Sequence, residues 1–95
     1  MYQIKTTRHF EKDFKRCQKR GLPLEQLRIV MKLLEEEGAL PAQYHPHKLV
    51  GDYRGKWECH IMPNWILIWE QNDNELIMLM LNTGSHSDIF GKTRK

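Results

Sequence analysis

The sequence predicts an α+β domain: a twisted antiparallel sheet, partly mixed at its edge, with an N-terminal helical hairpin on one face, in the order β-α-α-β-β-β. Three observations predict it. From Trp57 to Met62, apolar Trp57, Cys59 and Ile61 alternate with Glu58, His60 and Met62, a period of two that separates two sheet faces. After a turn at Pro63-Asn64, every residue from Trp65 to Trp69 is apolar, which marks a central strand covered on both sides. Phe10, Phe14 and Cys17, then Leu24, Leu27, Val30, Met31 and Leu34, recur at helical spacing, with only Gly21 to Pro23 as punctuation between the stripes.

Taken in order, Tyr2 to Thr6 is a short edge strand. Thr6 or Thr7 can cap a helix from about Arg8 to Lys19. Arg8, Lys12, Lys15, Arg16, Lys19 and Arg20 lie off its apolar stripe, and Glu11 and Asp13 can pair with Lys15 and Arg16. That basic face is either simply solvated or a contact surface for RNA phosphate. Gly21 ends this helix and Pro23 opens the next at its first position. Gly38 caps the second helix and Pro41 forbids its continuation. Lys48 to Val50 reads as a short strand, followed by a turn from Gly51 to Gly55 that holds Tyr53 and Arg54. Gln71 to Asn74 is a turn, Glu75 to Leu81 a strand, and Asn82 to Gly91 a polar exit segment. Residues 1–91 form one domain, and Lys92 to Lys95 a basic tail.

Composition narrows the options. The 95 residues, enough for one modest core, carry a formal charge of +3, a mild excess compatible with an anionic partner. No apolar run approaches the roughly 20 residues needed to cross a bilayer, so no membrane role is expected. Met1 to Phe10 is too polar for a secretory signal, which points to the cytoplasm. Cys17 and Cys59 fall on apolar faces and read as buried free thiols of a reducing compartment.

Five histidines raise the question of a metal, with His45 and His47 two residues apart and His60 next to Cys59. No ligand pair has zinc-finger spacing, so neither a metal nor another cofactor is expected. What remains is an acid–base set. His47 precedes a strand, His60 lies just before a hairpin turn and His86 follows the last strand, positions that an antiparallel sheet can gather at one rim. Imidazole suits proton removal and donation near neutrality. RNA brings its own nucleophile, the 2′-hydroxyl beside each phosphate. Histidines, an aromatic and a few cations therefore suffice to cleave it, and Lys48 and Arg54 are candidate cations.

The residues resemble the RelE-superfamily toxins of the YafQ branch along essentially the whole chain. The likeness is carried by Phe10-x-x-Asp13-Phe14-Lys15, by His47-Lys48-Leu49, by Glu58-Cys59-His60-Ile61-x-Pro63-Asn64-Trp65-Ile66-Leu67-Ile68-Trp69, and by Thr83-Gly84-Ser85-His86-Ser87-Asp88-Ile89-Phe90. It implies a RelE-like fold and a cytoplasmic toxin that enters the ribosomal A site and cuts messenger RNA there. It also implies neutralisation by a DinJ- or RelB-like antitoxin, with ribosomal RNA contacts through the basic first helix. By position His47, His60 and His86 match catalytic histidines: His86 as general acid, His47 or His60 as base or phosphate holder. Glu58 matches an acidic position tied to activity, and Trp65 and Phe90 match aromatics that pack the site or stack on a base.

Two departures bear on activity. Asn64 stands where the family usually has aspartate, and an amide cannot take a proton as a carboxylate can. Asn82 stands where the family often has arginine, which removes a cation from the phosphate site. Both imply attenuated catalysis. A non-enzymatic gyrase poison of the ParE type, or a catalytically degenerate partner-binding module, are the alternatives on the same fold.

Overall fold

The structure is a computed structural model that describes residues 1–91; the basic tail at 92–95 lies outside the described residues. The elements are β1 (Gln3–Thr6), α1 (Arg8–Lys19), α2 (Leu24–Glu37), β2 (His47–Lys48), β3 (Trp57–Met62), β4 (Trp65–Asn72), β5 (Ile77–Gly84) and a one-turn helix α3 (His86–Ile89), with 3-10 turns at Ala42–Tyr44 and Gly51–Tyr53. The sheet order is β1-β5-β4-β3-β2; β1 runs parallel to β5 and every other pairing is antiparallel. This is the α+β class the sequence predicts, with the mixed edge supplied by β1. Helix α3 is an addition to the predicted elements, and the two-residue β2 is the short strand expected near Lys48, which the six-element order leaves out.

The helices start and stop for local reasons. Thr7 caps α1 by accepting the Phe10 amide at 3.0 Å, and Gly38 ends α2 in the left-handed conformation that lacks a Cβ penalty. Pro23 sits at the N-cap of α2, one residue before its predicted place. Both helices bury their stripes on one sheet face, where Phe10, Cys17, Leu27, Val30 and Leu34 meet Cys59, Ile61, Leu67, Trp69, Met78 and Met80. Buried Asp13 locks α1 to the sheet: its carboxylate accepts from Arg16 and, at 3.1 Å, from the Thr83 amide. Glu11 accepts from Thr6 rather than pairing with Lys15.

β1 starts at Gln3, one residue later than expected, and three further strands differ in extent from the sequence reading. β2 occupies His47–Lys48, not Lys48 to Val50, because His47 pairs with Glu58 and Lys48 with Trp57, after which Val50 leaves the sheet at 84 % exposure. β4 continues to Asn72, whose side chain accepts the Glu75 amide and so shapes the turn beyond it. β5 starts at Ile77 and runs on to Gly84, so Asn82-Thr83-Gly84 is strand and not exit loop. Polar Thr83 is tolerated at full burial because its hydroxyl donates to the Ile66 carbonyl and accepts from Trp65 Nε1, each at 2.9 Å.

A bulge decides what each face of β5 presents. Ile68 pairs with Asn82 but Trp69 pairs with Met80, leaving Leu81 as the extra residue. Met80 and Thr83, three residues apart, thereby both face the helices, while Asn82 and Gly84 turn to the opposite face beside Ile66, Ile68, Glu58 and His60. Trp65 to Trp69 is buried throughout, as a strand covered on both sides requires.

Candidate active site

Glu58 is the centre of the sheet face opposite the helical hairpin. Its β2 partner His47 lies across one strand, His60 two residues along β3, and His86 at the start of α3. The carboxylate is 5 % exposed. Its Oε1 lies 3.0 Å from His47 Nε2 and 4.0 Å from His60 Nε2, and its Oε2 lies 3.6 Å from His86 Nε2. Only the first is a hydrogen-bond distance; the other two are longer approaches that a bound anion or a small rotation would change. A buried carboxylate needs hydrogen-bond donors, and ring nitrogens of these imidazoles lie within or close to reach of it.

His47 is held at both ring nitrogens. Its Nδ1 lies 2.9 Å from the His45 carbonyl, an acceptor only, so Nδ1 carries a proton there. His45 aims that carbonyl by adopting φ 50°, a left-handed geometry that histidine enters more readily than most residues. The opposite nitrogen faces Glu58, and the pair is bonded when a proton lies between them. The remaining rings form a chain. His45 meets His60 edge-on at 5.8 Å, His60 meets His86 at 5.4 Å, His86 stacks on Phe90 at 6.0 Å, and Phe90 meets Tyr53 edge-on at 5.4 Å.

His86 is placed by a device with no counterpart in the sequence reading. Ser85 and Asp88 cap α3 reciprocally: Ser85 Oγ accepts the Asp88 amide and Asp88 accepts the Ser85 amide. Arg20, at the end of α1, then donates to both Asp88 oxygens at 2.7 and 3.0 Å. Gly84 makes room: its φ is 151°, and a Cβ there would lie 2.8 Å from Asp88 Oδ2. The Arg20 guanidinium, with the Ser85 cap, holds the Asp88 carboxyl far below the usual carboxylate range. A depressed acid contributes stability above its unfolded value and loses it only as pH falls through the folded value, so the clamp persists through mild acid and opens only in strongly acidic solution. Arg20→Ala is expected to lower activity about tenfold by freeing α3, while stability changes by about 1 kcal/mol or less at this exposed pair. A melting temperature that drops while the rate stays unchanged would reject the positioning role.

Several expected site residues lie elsewhere. Lys48 is on the opposite face, because strand parity puts it with Trp57, over whose ring its Nζ sits at 5.7 Å. Trp65 is 2 % exposed, with its indole N–H bound to Thr83, so it packs the core and cannot stack on a base. Asn64 is exposed at the β3–β4 turn, and among the described residues no hydrogen bond or ion pair joins it to the cluster. Arg54 is exposed just past the 51–53 turn that carries Tyr53. Asn82 is buried in the same cross-strand row as Glu58, in line with His47 and Ile68. His45 and Tyr53, to which the sequence reading gave no role in catalysis or binding, join the ring chain. The His45-Pro46-His47 spacing was the only available signal for His45.

Glu58, His60 and His86 can each offer one ligand atom with all three atoms within 4.8 Å of one another, a nitrogen–oxygen set that suits zinc or copper. An ion there would supply Lewis acidity, and it would occupy the nitrogen lone pairs that proton transfer needs. The two thiols stay out of this chemistry: both are free and buried, and burial pushes Cys59 up to about 12. No helix among the described residues is long and apolar enough to cross a membrane.

A five-stranded sheet with a helical hairpin on one face and imidazoles ringing a buried carboxylate on the other defines a class, the small toxins of bacterial toxin–antitoxin pairs. The chain belongs to the YafQ family: the model described as bacterial toxin of type II toxin-antitoxin system, YafQ, matches residues 2–91. It is 35 % identical over 89 residues to the mRNA interferase toxin YafQ of Escherichia coli strain K12, covering 93 % of this chain and 95 % of that one. The toxin in a crystal structure of the E. coli DinJ-YafQ complex superimposes with a TM-score of 0.86 at 34 % identity, over 96 % of this chain and 100 % of that chain. A metal-bound toxin from Helicobacter pylori does so with a TM-score of 0.86 at 33 % identity, over 95 % and 100 % of the two chains.

Proposed function

We propose that this toxin is an endoribonuclease that cuts messenger RNA in the ribosomal A site, using the RNA 2′-hydroxyl as nucleophile and side-chain acid–base chemistry without a metal ion. The observation that carries the reading is three imidazoles within 4.0 Å of one buried carboxylate at one sheet end. His47, fixed between the His45 carbonyl and Glu58, suits the phosphate: a bound phosphate can take its Nε2 from Glu58, and the ring then stabilises charge on the phosphorane. His60, 28 % exposed and less tightly held, is placed to take the 2′-hydroxyl proton. His86, half exposed at the tip of α3, gives a proton to the leaving 5′-oxygen. Glu58 orients the set as a triad carboxylate orients its histidine. Phe90, packed between His86 and Tyr53, offers a flat neighbour to the splayed nucleotide.

Arg8, Lys12, Lys15 and Lys19 are exposed along α1 and suit ribosomal RNA phosphates. A DinJ-like antitoxin is the expected partner, and the cytoplasm the expected location. Primer extension on a message under translation tests the reading: discrete cuts within the reading frame are expected. Intact message accompanied by gyrase-dependent DNA breaks would instead mark a ParE-like poison. Asn64→Asp is expected to deepen growth arrest on induction, by a few-fold only, since position 64 stands off the hydrogen-bonded cluster. Equal arrest by both forms would make a carboxylate at the turn dispensable.

A further inference from the structure

Beside the imidazoles lies a groove of about 650 Å³, lined by Gln26, Gln43, Tyr44, His60, Met62 and Pro63 among others. Its volume falls within the ~300–1,000 Å³ of clefts that take small ligands. We propose that it is a base-reading subsite for the nucleotide next to the scissile phosphate, with Gln43 and Gln26 as specificity-determining residues. This rests on the phosphate-site reading above, and it assigns the base to residues outside the catalytic set.

Position argues first. His60 belongs to both places: its ring lies 5.4 Å from that of His86 in the cluster, and it forms one wall of the groove. A nucleotide with its phosphate among the imidazoles therefore has its sugar at His60 and its base at the groove mouth. The lining chemistry argues second. Pro63 and Met62 give apolar faces against which a ring can lie, and His45 stands edge-on behind His60 at 5.8 Å. Gln26, in the first turn of α2, and Gln43, in the 42–44 turn, both expose carboxamides with paired donors and an acceptor. Carboxamides read the hydrogen-bonding edges of unpaired bases. Among the described residues the groove lining contains no Lys, Arg, Asp or Glu, which fits a neutral base and not a second phosphate.

The test uses the isotope-labelled full chain titrated with the four nucleoside 5′-monophosphates and followed by NMR. The Gln26 and Gln43 side-chain amides are expected to shift together with the imidazole signals of His47, His60 and His86, by amounts that depend on the base. Imidazole shifts without carboxamide shifts would overturn the subsite and leave the phosphate reading standing. Carboxamide shifts without imidazole shifts would show base binding in the groove but overturn the phosphate reading, and with it the subsite's place next to the scissile phosphate. No shift at either place would overturn both. In cleavage, Gln43→Glu replaces a donor–acceptor pair by acceptors alone. It is expected to move the cut-site preference about tenfold toward bases that present an amino group. Both glutamines are exposed, so the variants retain the fold; an unchanged cut-site spectrum in Gln43→Glu and Gln26→Ala would reject the assignment.

Discussion

Replacing His86 by alanine is expected to reduce cleavage of translated message by about 10²–10⁴-fold, the range typical of a lost general acid. The ring is 47 % exposed and stands at the first position of α3, where alanine fits the helix. The Ser85–Asp88 cap and the Arg20 clamp do not involve its side chain, so the melting temperature should stay within a degree or two of the unsubstituted protein. Rate and stability therefore separate. Cleavage at the original rate, with the fold intact, would remove His86 from the chemistry.

The second large effect is expected at Glu58. Glu58→Gln keeps the size of the side chain but removes the charge that His47, His60 and His86 share. His47 can still donate to the amide oxygen, yet the attraction that gathers the other two rings is lost. Activity should fall by about 10²-fold or more, with the loss in kcat and not in KM, because the carboxylate orients the rings that move protons. That split is the decisive readout, since a merely loosened site would hold the message less well and raise KM. A raised KM with kcat unchanged would reduce Glu58 to a packing residue.

The parts of this structure that depend on neighbours in sequence were legible before folding. The Phe10, Phe14, Cys17 stripe with Thr7 before it sets α1 residue for residue, and Trp65 to Trp69 declares its two-sided burial by lacking any polar position. Pairings across the sheet were not. Lys48 adjoins His47 in sequence and for that reason points to the other face, which only the register with Trp57 and Glu58 reveals. The extra residue at Leu81 reverses parity within β5, so no period-two reading could put Thr83 with the core and Asn82 with the site. Trp65 looked available for stacking because composition alone does not show that Thr83, eighteen residues on, satisfies its N–H. The gathering of His47, His60 and His86 was readable as a possibility from their places at strand ends. Glu58 was a candidate through its family position, but that its carboxylate makes the three rings one unit became visible only when β2 was paired with β3. The Arg20–Asp88 clamp spans 68 residues and leaves no local trace.

If the cluster works as described, the attacking oxygen belongs to the RNA and not to water. The most direct test is to present a translated message carrying a single 2′-deoxynucleotide on the 5′ side of the cut and to identify the ends formed on the all-ribose message. Cleavage should stop at the deoxy position, and the ribose message should yield a 2′,3′-cyclic phosphate and a 5′-hydroxyl. Continued cutting at the deoxy position, leaving a 3′-hydroxyl and a 5′-phosphate, would contradict the role given to the imidazoles.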